Sequence, residues 1–207
     1  MKYKQIVFDI DGTLIDSEKP ILNSLQEVML RVTGKKYPLE DLTFCFGITG
    51  EDTLQRLGIE DIPTVMQLWF EILQQHNNEM VLYEGIDELI NHLLKEGYRL
   101  GIITSKPRVL FESDFGRFPV SQYFHPVVCA DDTTEHKPTA GPLLKYMELT
   151  GADKNEILYI GDSIYDSRCA ENAGVDFALA VWGSHTQTTP ADYYLKKPSD
   201  LLSVLAD

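Results

Sequence analysis

The sequence predicts a three-layer α/β fold: a parallel sheet between helices, with a small α-helical domain inserted after the first strand. Three observations predict it. Five short apolar runs read as strands buried on both faces. Three of the four intervals between them carry helical periodicity, and the first of these is far longer than one crossover helix requires. The strands, in order, are Gln5–Ile10, Arg99–Thr104, Pro126–Cys129, Ile157–Ile160 and Phe177–Val181. After the second strand's approach, Ile86, Leu89, Ile90, Leu93 and Leu94 repeat at helical spacing, and Gly97 ends the pattern. Leu143, Leu144, Met147 and Leu149 form a similar stripe that stops at Gly151, and a third helix runs from Ser163 to Asn172 and ends at Gly174.

The long interval, Asp16 to Leu82, shows no convincing strand. It carries helical patterns at Ile21–Val32 and Val65–Leu73, separated by Pro38, Pro63 and several glycines. Residues 17–81 are therefore expected to form a helical cap over the C-terminal edge of the sheet, with residues 1–16 and 82–207 as the core domain. That edge is where open α/β sheets bind ligands.

A chain of 207 residues accommodates one domain, or one domain with an insert. Apolar residues make up 43% and charged residues 24%, a globular profile. The net charge of −14, with no Lys/Arg run, argues against nucleic acid and anionic membranes as partners. Such a chain binds a small anion only through a metal ion or a focused cation. Cys45, Cys129 and Cys169 are few, odd in number and far apart, which fits reduced thiols in the cytoplasm and no zinc site. The chain enters a strand almost at once, so no signal peptide is expected, and no apolar run approaches the roughly 20 residues of a membrane span.

The strand ends carry the chemistry. Ile6-Val7-Phe8 runs into Asp9 and Asp11, and burying such charges without partners is costly. Ile102-Ile103 leads to Thr104-Ser105-Lys106, the third strand leads to His136-Lys137-Pro138, and Ile160 leads to Gly161-Asp162-Ser163 with Asp166 beyond. In a parallel sheet these ends share one edge, so Asp9, Asp11, Thr104, Lys137, Asp162 and Asp166 are expected around one pocket. Four carboxylates repel one another and any phosphate. Hard oxygen donors at this density suit Mg²⁺, and the metal with Lys137 would turn the pocket phosphate-accepting. Gly12 allows the chain to turn sharply after the strand.

D-I-D-G-T-L-I-D, the apolar pair before Thr104-Ser105, H-K-P and G-D-S-I-Y-D together resemble the four ordered motifs of the haloacid dehalogenase-like phosphohydrolase superfamily. The insert resembles that family's early helical cap, and the whole is similar to the phosphoglycolate phosphatase-like branch with its Rossmann-like core. The resemblance implies Asp9 as nucleophile and Asp11 as general acid/base. It implies Mg²⁺ on Asp9, the Asp11 carbonyl and Asp162, with Asp166 supporting. Thr104, Ser105 and Lys137 would bind phosphate, and Thr13 would brace the loop. The expected activity is hydrolysis of a small phosphorylated metabolite by a monomer or homodimer, with hinges near Asp16 and Leu82. A phosphosugar mutase resembling β-phosphoglucomutase shares the same intermediate, and a non-catalytic receiver shares the sheet and metal cluster but lacks so large an insert.

Each residue also has a plainer reading. Asp-Gly is common in turns, Thr104 suits a helix cap, Lys137 suits a solvated surface and Asp166 suits a capping turn. His136 reads as a neighbour, and His76, His92, His125 and His185 as structural or solvated. Lys106 and Arg108 follow the second motif and read equally as contacts to an anionic leaving group or as a basic surface loop. Thr49 reads as a helix cap, and Trp69 and Trp182 as packing residues.

Overall fold

The computed structural model describes residues 2–186 and 188–206. In chain order the elements are β1 (Gln5–Phe8), β2 (Ile15–Asp16), α1 (Glu18–Thr33), α2 (Gly50–Arg56), α3 (Ile62–Gln75), β3 (Val81–Leu82), α4 (Ile86–Lys95) and β4 (Arg99–Ile103). There follow α5 (Arg108–Asp114), β5 (Phe124–Val128), α6 (Gly141–Thr150), β6 (Ile157–Gly161), α7 (Ile164–Ala173), β7 (Asp176–Ala180), β8 (Tyr193–Leu195) and α8 (Asp200–Ala206). Six strands make one sheet in the order β5-β4-β1-β6-β7-β8, and every neighbouring pair is parallel.

Apolar side chains on both faces make this a buried sheet. Ile6 and Phe8 of β1, Leu158 and Ile160 of β6, and Ala178 and Ala180 of β7 point to one side, where α4 packs Ile86, Leu89, Ile90 and Leu93. The residues between them, Val7, Tyr159, Phe177 and Leu179, point to the other, against Leu143 and Tyr146 of α6 and Cys169 of α7. This is the period-two alternation of a strand, with both halves apolar. Each large aliphatic side chain so buried contributes about 1.5–3 kcal/mol. Gly101 in β4 makes room for the Tyr146 ring, since a Cβ there would lie 2.2 Å from Tyr146 Cε2.

Three differences from the sequence expectation have local causes. The first strand stops at Phe8 instead of Ile10, although the Asp9 N–H still donates to the Ile160 carbonyl at 2.8 Å. The third strand starts earlier, at Phe124, and contains Pro126. It is an edge strand, and its register against β4 shifts by a residue around that proline, where a missing N–H interrupts no ladder. A sixth strand, β8, spans only three residues, too short to print a pattern.

The long interval folds as α1, α2 and α3 with short 3₁₀ turns between them. Helix α1 starts with Glu18 and Pro20 in its first turn and ends at Gly34 in the left-handed conformation. It packs on α3, where Trp69 Nε1 donates to Ser24 Oγ at 2.9 Å. Helix α2 is capped by Thr49, whose hydroxyl accepts from Asp52 N at 3.1 Å. The chain leaves and re-enters the sheet region through a feature the sequence did not suggest. Strands β2 and β3 pair antiparallel, Ile15 opposite Leu82 and Asp16 opposite Val81. Among the described residues no helix is long and apolar enough to cross a membrane.

Candidate active site

Parallel pairing brings the C-terminal ends of β1, β4 and β6 to one edge, and the expected residues gather there. Asp9 follows β1 directly and is buried. Lys137 is buried with it, its Nζ 2.8 Å from Asp9 Oδ1 and 2.8 Å from Asp166 Oδ1. Burial disfavours a charged lysine, but the charges of Asp166 and Asp9 outweigh it and hold Lys137 above the usual lysine range.

Asp166 is anchored by four donors: Lys137 Nζ, Tyr159 Oη at 2.7 Å, and the N–H and hydroxyl of Ser163 at 3.1 and 2.5 Å. Burial opposes its charge, yet Lys137 and these hydrogen bonds prevail, so its pKa falls below the usual carboxylate value. The same side chain completes the capping box that starts α7, so the plain reading and the site reading of Asp166 are both satisfied. Gly161 accommodates it, because a Cβ there would meet Asp166 Cγ at 2.5 Å.

Asp162 is the contrasting case. It is buried and forms no ion pair among the described residues. Burial, then the charges of Asp166 and Asp9, push its pKa well above the carboxylate range. Asp9 is pushed up to about 7, mainly by burial, against the pull of Lys137. Carboxylate oxygens of Asp9, Asp162 and Asp166 lie within 4.8 Å of one another. With the oxygens of Asp166 already engaged by donors, Asp9 and Asp162 are left as a hard-oxygen pair short of positive charge. That donor set fits a divalent cation such as Mg²⁺. Gly12 keeps the chain close: it has φ +76°, and a Cβ there would fall 2.4 Å from Asp162 Oδ2.

Asp11 faces the same pocket with a different set of partners. Ser17 donates to its Oδ1 at 2.5 Å, and Lys106 Nζ lies 3.2 Å from that oxygen. Ser17 stands at the N-cap position of α1, yet its side chain makes no cap bond and turns to Asp11 instead. Lys106 is buried between Asp11 and the fully buried Asp114, 2.7 Å away. Sequence reasoning missed Ser17, Tyr159 and Asp114. A serine before a helix signals a cap, a tyrosine inside a strand signals core, and Asp114 carried no signal at all.

Other expectations separate here. Ser105 lines the pocket and donates to the Gly47 carbonyl of the helical segment at 3.1 Å. Thr104, expected around the same pocket, is buried and not among its lining residues; its Oγ1 accepts the Lys106 N–H at 3.2 Å. Thr13 holds the loop through its backbone carbonyl, which accepts from Trp182 Nε1 at 3.0 Å, while its own hydroxyl is buried without a partner. Lys106 reaches the pocket. Arg108 does not: it bonds Asp132 and the Val127 carbonyl. His185, expected to be structural or solvated, stacks on Phe46 with ring centroids 4.9 Å apart. Trp69, expected as packing, also lines the pocket.

The pocket is a cavity of about 80 Å³ between the sheet edge and the helical segment, floored by Asp9, Asp11, Lys106 and Lys137. Comparison with known proteins agrees with this geometry. The family model described as haloacid dehalogenase-like hydrolase matches residues 6–180. A pyrophosphatase PpaX of Bacillus mycoides is 31% identical over 211 residues, covering all of this chain and 98% of that protein. The crystal structure of a Lactobacillus plantarum protein provisionally named a phosphoglycolate phosphatase superposes with a TM-score of 0.90 at 32% identity, covering 99% of this chain and 100% of that one. In fold alone, CbbY of Rhodobacter sphaeroides, solved with phosphate, matches with a TM-score of 0.80 at 21% identity over 96% of each chain. With the motifs in order, the parallel sheet beneath them and the match across both sequence and structure, this chain belongs to the haloacid dehalogenase-like hydrolase family.

Proposed function

We propose that the chain is a Mg²⁺-dependent phosphatase that hydrolyses a small phosphomonoester through an aspartyl-phosphate on Asp9. The observation that carries the reading is the buried Asp9 carboxylate at a strand end, 2.8 Å from Lys137, opening on a cavity it shares with Asp11. The phosphatase names of the relatives and the phosphate found in the CbbY structure support the same chemistry.

In this reading an oxygen of Asp9 attacks phosphorus and the alcohol leaves. Asp11 protonates that alcohol and then takes a proton from the hydrolysing water. All contacts to its side chain among the described residues go to Oδ1, which leaves Oδ2 for this exchange. Lys137 neutralises charge on the phosphoryl oxygens while its second partner, Asp166, holds it in place. The Thr104 hydroxyl, whose proton has no acceptor among the described residues, would donate to phosphate, and the Ser105 hydroxyl would do so on leaving the Gly47 carbonyl. Asp9, Asp162 and the Asp11 carbonyl would hold Mg²⁺, which when bound neutralises the carboxylates and the phosphoryl oxygens. Residues 17–81 would act as a cap over residues 1–16 and 82–207, with the β2–β3 pair as the crossing point between them. Cytoplasmic location, which the reduced cysteines fit, belongs to the same proposal.

The test is phosphate release with Mg²⁺ over a panel of phosphometabolites, in wild type and two variants. Asp9→Asn should lower kcat by at least a thousandfold. Asp11→Ala should lose most with poor alcohol leaving groups. Retained turnover in Asp9→Asn would remove the nucleophile assignment, and equal losses for all leaving groups would remove the acid role of Asp11.

A further inference from the structure

The side of the cavity away from the acids is apolar. Ile21, Phe46, Ile48, Met66 and Phe70 of the helical segment face Leu110 of α5 across it. Four other lining side chains carry a polar hydrogen, and three of these are already committed. Trp69 Nε1 donates to Ser24, the Thr53 hydroxyl to the Thr49 carbonyl at 2.9 Å, and the Ser105 hydroxyl to the Gly47 carbonyl. The fourth, Cys45, is a buried thiol that burial pushes up to about 12, so it stays neutral. The start of α2 reaches the cavity at Gly50, but Glu51 and Asp52 fill that first turn with negative charge.

Two cations line the cavity among the described residues, Lys106 and Lys137. Each already faces two carboxylates: Asp11 and Asp114 for the first, Asp9 and Asp166 for the second. Beyond the acid end, no uncommitted side-chain cation among the described residues lines the cavity for a second anion. A carboxylate or second phosphate on the substrate would sit against Met66 and Phe70 with no side-chain cation to pair with.

We propose that the substrate is the phosphomonoester of an uncharged, largely apolar alcohol, and that neither a carboxylated alcohol phosphate nor pyrophosphate is the preferred one. This rests on the phosphatase reading above and departs from the substrates in the relatives' names. Met66 and Phe70 set the specificity by offering only dispersion contacts and excluding water.

The test compares kcat/KM of the full chain with Mg²⁺ for isobutyl phosphate, 2-phosphoglycolate and pyrophosphate, with p-nitrophenyl phosphate as a general phosphatase probe. Isobutyl phosphate and 2-phosphoglycolate have nearly the same shape and differ chiefly in a neutral branch against a carboxylate. Isobutyl phosphate should exceed both others at least tenfold. Met66→Arg, which places a guanidinium in the apolar wall, should cut its advantage over 2-phosphoglycolate at least tenfold. Leu110→Lys repeats that test from the opposite wall if the first variant does not fold. Equal or better use of 2-phosphoglycolate or pyrophosphate by wild type, or no turnover of isobutyl phosphate, would overturn the inference and leave the phosphatase reading standing. A folded variant with an unchanged ratio also counts against it. Inertness toward p-nitrophenyl phosphate as well would overturn both.

Discussion

At Lys137 three buried groups depend on one another. Its ammonium is shared between Asp9 and Asp166, and Asp166 in turn is fixed by Tyr159 and Ser163. Asp166 touches no pocket surface, so its part is to position Lys137 and keep it charged. Asp166→Asn keeps the shape but removes that anion. Its expected effects are a 10- to 100-fold fall in kcat and a loss of about 3 kcal/mol in stability, the lower end for a broken buried pair, because Lys137 keeps Asp9. Steady-state kinetics and denaturant unfolding check this, and wild-type kcat in a folded variant would remove the positioning role. Asp9, Asp11, Lys137, Asp162 and Asp166 were all legible in the sequence because each stands beside a strand end or in a tight turn with a recognisable pattern. Ser17, Asp114 and Tyr159 were not, since each joins the site through a fold-dependent contact that leaves no local pattern.

Among the elements, β4 shows how a strand interior is tuned to the helix above it. Gly101 is a poor strand residue on propensity, and its reason is the Tyr146 ring, whose hydroxyl continues to Gln5 Oε1 at 3.0 Å. Gly101→Ala is expected to destabilise by about 1–3 kcal/mol through overpacking, with kcat per folded molecule within twofold of wild type. A melting temperature equal to wild type would mean that α6 shifts freely, contrary to a core packed at this density. The five longer strands and the helices α1, α3, α4, α6 and α7 were readable from periodicity. The short ones, β2, β3, β8, α5 and α8, hold two to seven residues each, too few to print a period above the noise of composition.

For the molecule as a whole, the acids buried at one sheet edge link pH to stability and to metal. Asp162 has a raised pKa in the folded state. Its proton therefore stabilises the fold fully below the unfolded value of 3.8, and that stabilisation fades as pH rises. In EDTA, Asp162→Asn should accordingly melt progressively higher than wild type as pH goes from 5 to 8. Added Mg²⁺ should reverse the order, raising the wild-type melting temperature with concentration while leaving the variant nearly unmoved. An equal Mg²⁺ response in both proteins would exclude Asp162 as a ligand.

By itself the sequence determined the alternation of strands and helices, the length of the excursion after the first strand and the identity of the acids at the strand ends. These are local: periodicity, turn residues and short motifs are written in neighbouring positions. Only the tertiary structure decided that Lys106 is held between Asp11 and Asp114, that β2 and β3 pair where the chain crosses, and that the wall opposite the acids carries no spare charge. Most of these are contacts between segments tens of residues apart, and even the Lys106–Asp114 pair, eight residues apart, forms only once α5 has folded back. Such contacts are selected by packing and charge balance in three dimensions, and no spacing along the chain encodes them.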